Sequence, residues 1–163
     1  MLSVCQSPLD RALLTLLAST GLRASECCQL RVSDIDFQDR CLRVRLAKGG
    51  KTRRVGLPDR VIEAVQVWLE SHPDPSPEAW LFRNRLGESL DRHGLYKRLE
   101  RLGKMAGVKV SPHALRRAFV TINAGKGRPL VYLQKACGHS DIKTTMGYCL
   151  TTEAETVEAM KHW

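Results

Sequence analysis

The sequence predicts a mainly α domain that carries one small antiparallel β-sheet. Three observations predict it. Apolar residues recur at helical spacing through most of the chain, beginning with Leu9, Leu13, Leu16 and Leu17. Within Cys41–Leu46, Leu42, Val44 and Leu46 alternate with Arg43 and Arg45, the period of a half-buried strand. The 163 residues, 43% hydrophobic and 26% charged, suit a single globular domain with an ordinary core.

The elements follow in order. Residues 8 to 19 read as a helix, which Thr20-Gly21 interrupts, and a second helix runs from Ala24 to about Leu30. Residues 36 to 40 read as a strand end and turn. The alternating strand leads into Lys48-Gly49-Gly50-Lys51, where a Gly-Gly pair suits a tight hairpin turn with positive φ. Thr52 to Leu57 is the return strand, so a lysine flanks each side of the turn. Pro58 opens a helix to about Ser71, with Val61, Val65 and Trp68 on its apolar face. A three-proline loop, His72 to Pro77, is too short to divide two domains. Trp68, Trp80 and Phe82 read as core, and His72 and His93 as surface. Further helices are expected at 91–106, from His113, set up by Pro112, to about Ala124, at 129–137 ended by Gly138, at 141–148 and at 153–162.

The balance of charge is basic, 26 Lys and Arg against 17 Asp and Glu, a formal +9. Such a surface favours polyanions. No apolar run reaches the ~18 residues of a membrane span, and Met1 to Asp10 lack the pattern of a signal peptide. A cytoplasmic protein is the reading. The six cysteines, Cys5, Cys27, Cys28, Cys41, Cys137 and Cys149, form no Cys-x-x-Cys pair and no zinc spacing with a histidine. They read as reduced thiols, and no metal site or cofactor is expected.

Breaking a DNA backbone without a metal needs three things. A nucleophile attacks phosphorus, fixed cations hold the extra charge on the non-bridging oxygens, and an acid protonates the leaving 5′-oxygen. Arginine suits the second task, because its fork donates two hydrogen bonds and stays charged. Lysine or histidine suits the third, and tyrosine the first. The sequence sets Arg23 at a helix start with Glu26 three residues on. It sets Lys48 at the hairpin turn, His113 and Arg116 three apart on one helix, and Tyr148 nine residues after His139.

These motifs occur as Thr20-Gly-Leu-Arg-Ala-Ser-Glu26, Lys48-Gly-Gly-Lys-Thr-Arg53, His113-Ala-Leu-Arg-Arg117, Gly138-His-Ser140 and Tyr148. In that order and spacing they resemble the catalytic domain of the tyrosine recombinases, also called phage integrases, over about residues 9 to 150. Each motif alone is weak; five in order are specific. The resemblance implies the integrase-like catalytic fold across 1–163, with 151–163 as a tail helix. It implies that Arg23 and Arg116 clamp the scissile phosphate, that His113 and His139 add hydrogen bonds to it, and that Lys48 protonates the leaving oxygen. Tyr148 would form a 3′-phosphotyrosyl bond, with no metal and no ATP. Lys51 flanks the same turn and is the alternative to Lys48. Glu26 either supports the site or only pairs with Arg23 and caps backbone amides. Lys51, Arg53, Arg54, Arg43 and Arg45 are candidates to line DNA, against the plainer reading of a solvated strand face.

The resemblance further implies double-stranded DNA as partner and self-association as a tetramer on DNA. The C-terminal segment is placed either to pass to a neighbouring protomer or to fold back on its own domain. Two departures stand out: Cys137 occupies the place of a bulky aliphatic, and Cys149 follows Tyr148. A helical N-terminal clamp domain, usual in the family, is expected to be absent here, since the first helix begins near residue 8. Two rival functions share these residues: type IB topoisomerase-like relaxation, and a non-catalytic DNA-binding accessory module.

Overall fold

The computed structural model describes residues 2–45, 52–84 and 86–138. The Lys48–Lys51 turn and the helices expected at 141–148 and 153–162 lie outside them. The described residues form six α-helices and a three-stranded sheet: α1 Pro8–Thr20, α2 Ala24–Cys28, β1 Ile35–Asp36, β2 Cys41–Arg45, β3 Thr52–Gly56, α3 Asp59–Glu70, α4 Arg92–Met105, α5 Pro112–Gly125 and α6 Leu130–Cys137. Single 3-10 turns at Leu2–Val4 and Val32–Asp34, not foreseen from the sequence, precede α1 and β1.

Helix α1 is the centre of the domain. Ser7 caps its N-terminus by accepting from the Asp10 amide, and Pro8 occupies the first turn, where a missing N–H costs nothing. Ala12 to Leu17 are buried on every side, as expected of a helix packed from several directions. It packs against α3 and α5. The chain leaves α1 through Gly21 at φ +63°, the left-handed closure that glycine makes without a Cβ penalty.

The sheet has the order β1-β2-β3 and is antiparallel throughout. Leu42 pairs with Val55 and Val44 with Arg53. Leu42, Val44 and Val55 enter the main core with α1 and α3. Because strand faces alternate, Arg53 shares the inward face with Val55, while Arg43, Arg45 and Arg54 lie on the other side and are exposed.

Trp68 closes the core under the three-proline loop, its Nε1 donating to the Leu81 carbonyl at 2.8 Å. His72, expected at the surface, is buried instead. Its Nε2 lies 3.0 Å from the Trp80 carbonyl oxygen, the Asp74 amide donates to its Nδ1, and its ring meets Trp68 edge-on. The start of the proline loop is therefore tied down through this ring. Trp80 is half-buried rather than core, covered by the Arg31 guanidinium. Asp10, on α1, is buried at 1% exposure and accepts from Arg98 Nη1 at 2.7 Å and Arg101 Nη2 at 2.6 Å. That buried carboxylate fastens α4 to the central helix. A smaller apolar cluster, Phe119, Val120, Leu133 and Cys137, joins α5 to α6.

Candidate active site

Arg23 is the residue from which α2 starts. Its backbone is extended, and its amide donates to Glu26 Oε2 at 2.8 Å. Glu26, three residues on, therefore satisfies a helix N-terminal donor with its side chain. The same carboxylate accepts from Arg23 Nη1 at 3.1 Å. Glu26 thus both caps that amide and pairs with Arg23.

Arg116 sits in the second turn of α5. Ser111 caps that helix by accepting from the Ala114 amide, and Pro112 opens it. The Arg116 side chain turns inward to 5% exposure. Its Nη1 donates to the Gly21 carbonyl at 2.6 Å and its Nη2 to the Cys137 carbonyl at 2.9 Å. Burial pushes the Arg116 guanidinium below its ordinary pKa, and the neighbouring Arg23 and Arg53 charges push the same way. An arginine nevertheless keeps its proton in a protein.

The two arginines meet at the end of α6. Arg23 Nη2 donates to the Gly138 carbonyl at 2.8 Å, and Arg23 Nη1 reaches the Cys137 carbonyl at 3.4 Å. Cys137 O thus receives both Arg23 and Arg116. The last carbonyls of a helix lack intrahelical partners and carry the negative end of its dipole, so they suit two converging cations. Gly138 closes α6 at φ +65°. Cys137 itself is fully buried, and burial raises its thiol pKa against the pull of the three arginines. It is packing, and its backbone does the polar work.

A third arginine completes the cluster. Arg53, considered among the arginines that line DNA, points inward at 10% side-chain exposure. Its Nη1 and Nη2 donate to Glu26 Oε1 and Oε2 at 2.8 and 2.9 Å, and its Nε donates to the Ala136 carbonyl at 2.8 Å. Burial alone would raise the Glu26 pKa, but the hydrogen bonds from Arg53 and the Arg23 amide, with both charges, hold it below the ordinary carboxylate value. The signal for Arg53 was present in the sequence as its parity with Val55.

The other candidates divide. His113 lies one turn before Arg116 on α5 and is exposed. Arg45 pairs with the buried Asp34 at 3.0 Å, and Arg54 with Asp39 at 2.6 Å. Arg43 is exposed on β2. Lys48, Lys51, His139 and Tyr148 lie outside the described residues. Among the described residues no group of three His, Cys, Asp or Glu could hold a metal ion, and Cys27, Cys28, Cys41 and Cys137 form no disulfide. No described helix is long and apolar enough to cross a membrane.

Chemically, the cluster offers two guanidiniums fixed by backbone carbonyls. Such a preset pair needs no reorganisation when charge develops on a bound group.

A mainly helical domain with this sheet and these paired arginines falls in a known class. The chain belongs to the phage integrase family, whose sequence profile matches residues 1–155. Among its relatives, the tyrosine recombinase XerA of Pyrococcus furiosus is 36% identical over 155 residues, covering 93% of this chain and 54% of that protein. The tyrosine recombinase XerD of Staphylococcus epidermidis is 36% identical over 152 residues, covering 90% and 51%. The chain thus spans about half the length of the curated relatives it matches. In structure it is similar to the XerA recombinase crystal structure, with a TM-score of 0.87 at 28% identity, over 99% of this chain and 59% of that one. It is also similar to the XerH site-specific recombinase bound to difH substrate in a pre-cleavage complex. There the TM-score is 0.78 at 28% identity, over 96% and 47%.

Proposed function

We propose that this chain is the DNA-cleaving domain of a site-specific tyrosine recombinase. The observation that carries the reading is the convergence of Arg23 and Arg116 on the Cys137 carbonyl at the end of α6. In the proposed reaction the Tyr148 oxygen attacks phosphorus and loses its proton, with His113 as the candidate acceptor. Arg23 and Arg116 hold the non-bridging oxygens, joined by His113 and His139. The bond from phosphorus to the 5′-oxygen breaks, and Lys48, or Lys51 in its place, gives that oxygen a proton. The product is a 3′-phosphotyrosyl bond and a free 5′-hydroxyl. Attack by a 5′-hydroxyl of a second strand reverses the step and releases Tyr148. One phosphodiester is exchanged for another, so no external energy source enters.

The partner is double-stranded DNA, in keeping with the +9 charge and with DNA-bound relatives such as XerH. Exchange between two duplexes calls for four protomers, and the site of action is the nucleoid. Lys51, Arg43 and Arg54 are placed by sequence on or beside the hairpin, where backbone contacts with DNA would add to affinity.

The test uses nicked hairpin duplexes with randomised arms, incubated with the 163-residue chain and resolved on a denaturing gel. A covalent protein–DNA adduct is expected, insensitive to EDTA, and sequencing the trapped DNA gives the preferred site. Tyr148→Phe abolishes the adduct. An undiminished adduct in that variant would sink the nucleophile assignment. Relaxation of supercoiled plasmid by the chain acting as a monomer would favour the topoisomerase-like alternative. DNA binding with no adduct would favour the accessory module.

A further inference from the structure

We propose that Arg53 is a positioning residue for the arginine pair, acting through Glu26 and the end of α6 rather than by touching DNA. The inference rests on the function proposed above and goes further by assigning a role to a residue outside the reacting set.

Three observations carry it. First, every nitrogen of the Arg53 guanidinium is engaged inside the domain, two on Glu26 and one on the Ala136 carbonyl. A fork bound end-on to a carboxylate is a fixed geometry, not a mobile surface charge. Second, the three last carbonyls of α6 are divided among three arginines: Ala136 to Arg53, Cys137 to Arg23 and Arg116, Gly138 to Arg23. Arg53 therefore sets where that helix end lies, and the helix end sets where the other two guanidiniums lie. Third, Gly138 rests directly on the Arg53 guanidinium, since a Cβ there would come within 2.8 Å of Nη1. A side chain at Gly138 would displace either Arg53 or the carbonyl that holds Arg23.

The position of Arg53 in the chain adds a consequence. It is the second residue of β3, the strand that follows residues 48–51 in the chain. One side chain thus links the strand that follows the proposed general acid in the chain to the pair proposed to hold the phosphate. Without it, Glu26 keeps only Arg23 as an ionic partner among the described residues, and the buried carboxylate must draw Arg23 closer or take up a proton.

The experiment compares Arg53→Met, which keeps the apolar stem, with Arg53→Lys, which keeps the charge and loses the fork. Single-turnover cleavage is measured on a duplex recovered from the pool, at saturating DNA and over a salt series. A misplacement of about 1 Å in a reacting site can cost about 100-fold, so Arg53→Met is expected to cleave about 100-fold more slowly, with Arg53→Lys recovering part of the loss. DNA affinity and its salt slope stay as in the parent. Full-rate cleavage by Arg53→Met would overturn the proposal. So would a loss confined to affinity with the salt slope reduced by about one, the mark of a lost phosphate contact. Thermal melting checks that each variant folds, and Arg53→Lys decides the matter if Arg53→Met does not.

A second readout needs no activity. The guanidinium N–H resonances of Arg23 are followed by nitrogen–proton NMR in the parent and in Arg53→Lys. Slowed rotation in the parent that is lost in the variant supports positioning; an unchanged Arg23 signal overturns it. If the parent chain forms no adduct at all, the proposed function fails, and this measurement still decides the role of Arg53.

Discussion

Replacing Gly21 by alanine tests how the site is built, because one residue carries a backbone turn, a packing contact and an arginine anchor. Gly21 closes α1 at φ +63°. A non-glycine residue in that conformation costs about 1–2 kcal/mol. A Cβ there would lie 2.6 Å from Phe119 Cδ1 and 3.0 Å from Cys137 Sγ. Both neighbours are buried in the α5–α6 cluster, so they yield only by disturbing that packing, at about 1–3 kcal/mol. Together these give about 2–5 kcal/mol, and for a domain of this size a melting temperature lower by about 4–20 °C. The Gly21 carbonyl also holds Arg116, so the shift reaches the guanidinium. The assay is thermal unfolding followed by circular dichroism, with Phe119→Leu and the double variant alongside. Removing the ring edge relieves the clash but not the left-handed strain. The double variant is therefore expected to be more stable than the two single effects added together, by about 1–3 kcal/mol. A Gly21→Ala melting temperature within a degree of the parent would refute the reasoning, and strict additivity would refute the clash.

Two other perturbations follow from the buried charges. Asp10→Asn keeps the shape but removes the charge that holds Arg98 and Arg101; since those arginines are 29% and 45% exposed and can turn to water, the cost expected in urea unfolding is about 1–3 kcal/mol. Stability should also fall in acid. Burial opposes ionisation of Asp10, but Arg98 and Arg101 outweigh it and hold its pKa below the ordinary value, as Arg53 and Arg23 do for Glu26. A carboxylate whose folded pKa is lowered adds stability above its unfolded value and loses it as pH falls through the folded one. Urea midpoints should therefore be flat above about pH 5 and drop below it, and a profile that stays flat in acid would show that neither pair contributes.

The helical class, the hairpin strands and the helix ends at Gly21 and Gly138 were legible because periodicity and glycine placement are local signals. Arg23, Glu26 and Arg116 stood out through their motif settings. What the sequence concealed were partnerships between distant segments. Asp10 on α1 reads as an ordinary first-turn acid, and nothing near it announces Arg98 and Arg101. His72 stands alone in a proline-rich loop with no period to assign it a face, and only the fold shows its ring over Trp68. Arg53 is the instructive case. Four strand arginines were weighed as one group, yet the alternation that buries Val55 also turns Arg53 inward opposite Val44.

The end of α6 has one more consequence. That helix is eight residues long, and only Leu133 and Cys137 along it are buried. Helices this short have little stability of their own in water and depend on docking. Its final carbonyls nonetheless anchor Arg23, Arg53 and Arg116 together. A transient undocking of this one segment would take a carbonyl anchor from all three cations in a single event, leaving Arg23 and Arg53 on Glu26 and Arg116 on the Gly21 carbonyl. The competence of the pocket is then a population, governed by how often α6 is seated, and any partner that presses on α6 holds a lever on the whole cluster.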